Sequence, residues 1–251
     1  SKLNIENLRK DFGGIVAVDG CSFGVEDNTI VALIGPNGAG KTTIFNMISG
    51  FTTPDQGTIL LEGEDITAMK PHERARKGIA RTFQLMRLFP KMTVMENMLV
   101  AMKHGREGLV DALLQSASLK RLEEFNRRRA MEYLKLVHLE VKVDECAGNL
   151  SYGQQKLLEI ARALASEPEI LLLDEPAAGV NKTMLNEIAS VLLELKKKGK
   201  TILFIEHDME FVMNIADKVV VLDYGKEIAV GKPKDVQNNK RVIDAYLGVT
   251  A

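Results

Sequence analysis

The octapeptide Gly35-Pro36-Asn37-Gly38-Ala39-Gly40-Lys41-Thr42 constrains this chain more than any other feature. It follows an uninterrupted apolar run, Thr29-Ile30-Val31-Ala32-Leu33-Ile34, and precedes a helical pattern over 41–49. Such a run reads as a central strand covered on both faces, because a half-exposed strand would alternate. The glycines leave consecutive backbone N–H groups free to wrap an anion. Lys41 adds a point charge, and Thr42 offers a hydroxyl at a helix N-terminus that favours negative charge. G-x-x-x-x-G-K-T between strand and helix predicts a loop for the β- and γ-phosphates of a nucleotide. Asn37, Gly38, Ala39, Gly40, Lys41, Thr42 and Thr43 are its contacts, and Thr42 is a ligand for Mg²⁺.

A second apolar run, Ile170-Leu171-Leu172-Leu173, ends in Asp174-Glu175. Parallel α/β sheets bind ligands at the carboxyl ends of their strands, so this pair is expected to face the phosphate loop. Asp174 is then placed to hold Mg²⁺, directly or through water. Glu175 is placed to take a proton from an attacking water. An acidic pair after a strand is commonplace alone; beside a phosphate loop it predicts hydrolysis.

Around these landmarks, 2–8 alternate with Leu3, Ile5 and Leu8 on one side and predict a strand, as do 58–61. From about 95 to 165 the pattern turns helical. Leu122, Phe125, Ala130, Tyr133, Leu134 and Val137 recur on one face, with Arg127, Arg128 and Glu132 pointing away. Strand–helix alternation then resumes: strand 170–173, helix 182–197, strand 201–205, helix 208–215, strand 218–222 and a terminal helix over 240–247. The expected organisation is one α/β core, about 1–84 and 156–251, interrupted by a mostly helical subdomain at about 85–155.

Leu150-Ser151-Tyr152-Gly153-Gln154-Gln155 opens one of these helices, with Ser151 placed as its N-cap. By itself this is an ordinary capped helix. In a chain that already carries a phosphate loop, a second anion-binding helix start makes most sense against a γ-phosphate held by another copy.

Composition narrows the functional classes. The 251 residues are 45% hydrophobic and 27% charged, with a net charge of −1, so no basic field points to nucleic acid. Cys21 and Cys146 form no CxxC, which argues against a disulfide framework or zinc site. No apolar run approaches the roughly 20 residues that span a bilayer, and no charged-then-apolar leader opens the chain. The expectation is a cytoplasmic protein that reaches a membrane only through a partner.

Together these residues resemble the ATPase subunits of ABC transporters across essentially the whole chain. In that family an aromatic at the position of Phe12 stacks on adenine, with Val16 beside it. Gln84, in Arg81-Thr82-Phe83-Gln84, matches the glutamine that links Mg²⁺ and γ-phosphate to the helical subdomain. Ser151 to Gln155 resembles the family signature, in which Ser151, Gly153 and Gln154 reach the nucleotide. His207, in Phe204-Ile205-Glu206-His207-Asp208, matches the switch histidine. The resemblance implies a P-loop ABC-ATPase fold: a RecA-like mixed-sheet core, an N-terminal antiparallel β portion and an inserted helical subdomain. It implies ATP and Mg²⁺, with Lys41, Gln84, Glu175 and His207 catalytic and Thr42, Gln84 and Asp174 around the metal.

It also implies a head-to-tail dimer, homomeric or heteromeric, peripheral to the cytoplasmic face of the inner membrane. Its partners there are transmembrane permease subunits and, indirectly, an external substrate-binding protein. Leu88, Phe89, Met92, Met95 and Met98 are shared between a permease-facing surface and the helical core. Two positions depart from the family pattern. Tyr152 replaces the first glycine of the usual Ser-Gly-Gly, leaving Gly153 for close approach to the nucleotide, and Asn181 stands where many relatives carry Asp. Ser-Tyr-Gly-Gln-Gln, Arg-Thr-Phe-Gln, Asp-Glu-Pro-Ala-Ala-Gly and the segment 242–248 are similar to high-affinity branched-chain amino-acid importers. Urea and amide importers and lipid or lipopolysaccharide exporters remain alternatives. A soluble, non-transport ABC ATPase fits less well, since the chain has one cassette and no sustained heptads, and a gating module without turnover would not need the intact catalytic set.

Overall fold

The computed structural model describes residues 1–82, 88–102 and 116–247. Two sheets form its frame. The first is antiparallel, built from β1 (Leu3–Phe12), β2 (Ile15–Val25), β4 (Gln56–Leu61) and β5 (Glu64–Asp65) in the order β2-β1-β4-β5. The second contains β3 (Ile30–Ile34), β6 (Ile79–Arg81), β7 (Ile170–Asp174), β8 (Thr201–Ile205), β9 (Lys218–Asp223) and β10 (Lys226–Gly231). Its order is β10-β9-β3-β8-β7-β6, and every pairing is parallel except that of β10 with β9. The expected mixed sheet with an N-terminal antiparallel portion is thus present. The strand β2 was not legible in the sequence, because Gly20, Gly24 and three register shifts against β1 break its alternation.

Burial follows the two-residue period of the parallel strands. Val31, Leu33, Leu172, Leu203, Ile205, Val220 and Leu222 face the antiparallel sheet across α1 (Lys41–Ile48), whose Ile44, Phe45, Met47 and Ile48 fill the space between. Ala32, Ile34, Leu171, Leu173, Phe204 and Val221 face the other way. They pack with α3 (Val94–Met102), α4 (Ser116–Leu136), α5 (Tyr152–Leu164), α6 (Lys182–Lys197) and α7 (Met209–Ile215) in one continuous core. The helices after β6 therefore share a core with the sheet. Short helices α2 (Pro71–Arg76) and α8 (Pro233–Gln237) and the terminal α9 (Lys240–Leu247) complete the described strands and α-helices.

The apolar stripe expected along α4 is only partly buried. Ala130, Leu134 and Val137 join the core and Tyr133 packs at its edge, whereas Leu122 and Phe125 are about half exposed. The helix outruns the surface that α3 and α5 cover. The Met-rich segment divides similarly: Met95 and Met98 are buried, while Phe89 stands exposed. Among the described residues, no helix is long and apolar enough to cross a membrane.

Candidate active site

The phosphate loop joins the central strand β3 to α1, as its sequence predicts. Gly40 caps the helix at φ 99°, a left-handed conformation that costs other residues strain. A Cβ there would lie 2.3 Å from the carbonyl oxygen of Ala17 in β2, so both conformation and space demand glycine. The loop is further pinned where Gly225, in the β9–β10 turn, donates to the Ala39 carbonyl at 3.1 Å. Lys41 lies back across the loop, its Nζ donating to the carbonyls of Gly35 (2.7 Å) and Pro36 (2.8 Å). Burial pushes its pKa down, and the nearby Glu175 carboxylate opposes that shift. Asn37, Gly38 and Thr42 are exposed and Thr43 is half-buried, so the anion-facing side of the loop is open.

The acidic edge is assembled from the carboxyl ends of β6, β7 and β8. Asp174 Oδ2 pairs with Arg81 Nη2 at 3.0 Å. Arg81 Nη1 also donates to Asn46 Oδ1 and Ser49 Oγ, both at 2.8 Å, tying β6 to α1 and its C-cap. Glu175 follows with φ 51°, left-handed for a residue with a side chain. Its N–H donates to the Ile205 carbonyl at 3.1 Å, adding a last rung beside β8. His207 Nε2 lies 3.2 Å from Glu175 Oε1. The structure therefore brings Lys41, Asp174, Glu175 and His207 to one edge of the parallel sheet.

The start of α5 is capped as expected. Ser151 Oγ accepts from Gln154 N–H (3.3 Å), and Gln154 Oε1 accepts from Ser151 N–H (3.1 Å), a reciprocal capping box. Gly153 is also constrained within its own chain. A Cβ there would fall 2.1 Å from Met184 Cγ, so glycine at this position admits α6 of the same chain. Tyr152 lays its ring against Gly179, where an added Cβ would sit 3.2 Å from Cε1. Asn181 caps α6 through Oδ1, which accepts from Met184 N–H at 2.9 Å, a role that needs no charge.

Phe12 sits at the tip of the β1–β2 hairpin, 52% exposed, with the Lys10 ammonium 5.4 Å from its ring centre. Val16 pairs with Asp11 across the same hairpin, next in sequence to Ala17, which packs on Gly40. Gln84 lies outside the described residues.

Residues 18–178 match the family model described as ABC transporter. The chain belongs to the ABC transporter family. This ABC ATPase also matches, over residues 226–251, a model described as branched-chain amino acid ATP-binding cassette transporter. It is 43% identical over 98% of its length to the high-affinity branched-chain amino acid transport ATP-binding protein BraF of Pseudomonas aeruginosa, 97% of which is covered. Among solved structures, the ADP conformation of an ATP-binding cassette of an ABC transporter superposes with a TM-score of 0.87 at 38% identity, covering 98% of each chain. A dimeric cassette in a post-hydrolysis state bound to ADP and Pi superposes with a TM-score of 0.76 at 26% identity, covering 92% of this chain and 98% of that one. ATP is thus the nucleotide of this ATPase.

Three residues of the ABC ATPase site carried no role in the sequence reading. Arg81 holds Asp174 as described above. Glu206, 2% exposed, accepts from the N–H groups of Ala177 (2.6 Å) and His207 (3.0 Å), and burial raises its pKa despite these bonds. Lys156 donates from inside the protein to the Glu175 carbonyl. A charge directly after a buried strand, as at Glu206, is a usable sequence signal. Lys156 had none, because its neighbours on α5 are polar and apolar in ordinary helical alternation.

Proposed function

We propose that this ATPase powers a permease that imports branched-chain amino acids, working as a head-to-tail dimer at the cytoplasmic face of the membrane. The observation that carries the reading is the convergence of Lys41, Asp174, Glu175 and His207 beside an open phosphate loop. Phe12 and Val16 would bracket the adenine, and the loop N–H groups with Lys41 would hold the β- and γ-phosphates. The Thr42 hydroxyl and Asp174 carboxylate are oxygen donors suited to Mg²⁺. When bound, such an ion would screen the charge on those phosphates. Glu175 orients water and takes its proton as the water oxygen attacks γ-phosphorus and the bond to ADP breaks. His207, within hydrogen-bond reach of Glu175, stabilises charge on the γ-phosphate.

The opposite face of the site would come from a second copy. Ser151 and Tyr152 are exposed at the start of α5, and a helix start leaves first-turn N–H groups without partners inside the helix. Ser151, Gly153 and Gln154 would present that helix start to the partner's γ-phosphate. In this reading residues 85–155 are the helical subdomain that carries the helix start across, and ATP binding draws the two copies together.

The permease would dock beside the Gln84 segment. A groove of about 660 Å³ opens between Thr82 and Phe89, with Phe51, Ala75, Val100 and Arg162 also in its lining. Its largely apolar lining suits an amphipathic helix from a membrane partner. The decisive experiment is ATP-dependent uptake of labelled leucine, isoleucine and valine by cells carrying the wild-type chain or Glu175→Gln. Uptake that collapses in the variant supports motor and cargo together. Unchanged uptake, with ATP still hydrolysed by the purified wild-type protein, would overturn the cargo assignment.

A further inference from the structure

We propose that Lys156 is a positioning residue for hydrolysis: its buried ammonium holds the backbone of Glu175, so that the start of α5 and the general base of the same chain move together. The inference rests on the reading of Glu175 as that base. Lys156 is 5% exposed, and its Nζ donates to the Glu175 carbonyl oxygen at 2.7 Å. Burial lowers its pKa, opposed by the carboxylates of Glu159, Glu206, Glu175 and Asp174. A buried ammonium is costly to keep unless its bonds are satisfied. An apolar side chain would fill the same space more cheaply, so what the charge adds is a directed bond.

That bond falls where the backbone most needs one. Glu175 is held at φ 51°, a conformation that a residue with a side chain leaves unless its surroundings impose it. On its amino side the last rung to Ile205 fixes the peptide; on its carboxyl side the carbonyl accepts from Ala178 N–H (3.2 Å) as well as from Lys156. Releasing Lys156 leaves only the longer Ala178 bond on one side of a strained peptide and lets the carboxylate drift from the attacking water.

Two neighbouring contacts make the link stiff. Lys156 stands four residues after Tyr152 and so on the same helical face, with Nζ 5.5 Å from the Tyr152 ring centre. Tyr152 rests on Gly179, and Gly153 on Met184. The segment from Glu175 into α6 is therefore held against the first five residues of α5 at three points. In the head-to-tail dimer that helix start serves the partner's nucleotide while Glu175 serves its own. A shift of the α5 start when one site closes would reach the base of the other site through a single helical turn, a short physical link between them.

The test compares Lys156→Met, Lys156→Arg and Glu175→Gln in the full chain. Steady-state ATP hydrolysis, affinity for a fluorescent ATP analogue and thermal melting would be measured for each. Lys156→Met is expected to lower kcat about 10–10²-fold, the scale of a slightly misplaced catalytic group. Its KM and nucleotide affinity should stay within about twofold. Lys156→Arg, still able to donate to the carbonyl, should recover most of kcat. Wild-type kcat in Lys156→Met beside an inactive Glu175→Gln overturns the proposal and leaves the base reading standing. Wild-type kcat in Glu175→Gln overturns both. Affinity falling in step with kcat in Lys156→Met, or no recovery in a normally melting Lys156→Arg, marks a structural lysine and also overturns it. Should Lys156→Met fail to fold, Tyr152→Ala stands in. It should lower kcat about threefold or more at unchanged affinity, and unchanged kcat there counts against the proposal.

Discussion

The two halves of the proposed ATP site are built in opposite ways. The phosphate loop is a run of consecutive residues whose shape comes from backbone: Gly40 in a left-handed conformation and carbonyls gathered around Lys41. The acidic edge is assembled from distant segments, with Arg81 from β6, Asp174 and Glu175 from β7, Glu206 and His207 after β8, and Lys156 from α5. A local motif binds because one stretch of chain has one shape. An assembled edge acts only while several elements keep their relative positions, which suits the part of an ATPase that must switch.

Substitutions can break or sharpen that contrast. Glu175→Gln removes the proposed base and leaves the loop untouched, so turnover should fall about 10²–10⁴-fold while ATP affinity holds. Loss of affinity in an equilibrium titration of this variant would mean that the two halves are not separable. Gly40→Ala attacks the loop itself. The added Cβ meets the Ala17 carbonyl at a φ that alanine resists, so chemical denaturation should register a loss of about 3 kcal/mol, with nucleotide binding lost as well.

At the assembled edge, Glu206→Ala leaves the N–H groups of Ala177 and His207 without their acceptor. Stability should drop by about 1–3 kcal/mol, and the proton lineshape of His207 should broaden as its loop loosens. Gly153→Ala should cost about 1–2 kcal/mol through its clash with Met184. Because a flexible side chain is the obstacle, adding Met184→Ala should recover part of that loss. A double-mutant cycle with strictly additive terms would separate Gly153 from α6. The smallest change belongs outside both halves: Leu122→Gln, at a half-exposed position on α4, should shift the denaturation midpoint by no more than about 0.5 kcal/mol.

Much of this was legible in the chain. An all-apolar run before G-x-x-x-x-G-K-T can hardly be anything but a central strand feeding a phosphate loop, and Ile30–Ile34 is buried throughout. The acidic pair and His207 follow strands of the same kind, so the rule that parallel sheets present ligands at strand ends placed them correctly. Ser151 was readable as a cap because Gln154 stands three residues on. The stripe on α4 misled at Leu122 and Phe125, since periodicity marks a face without saying how far a neighbour covers it.

The sequence by itself determined the parts whose reasons are local. These are the strand that must be buried on both faces, the loop that only glycine can turn, and the helix starts that polar side chains cap. The tertiary structure decided everything that depends on which surfaces meet. Gly153 is small because Met184 arrives from α6, Tyr152 is tolerated because its ring rests on Gly179, and Asp174 is oriented by Arg81. Lys156 is buried because a carbonyl nineteen positions along the chain accepts its hydrogen bond. Contacts of that kind depend on how β-strands and helices far apart in sequence are brought together, and a pattern read along one dimension does not contain those distances.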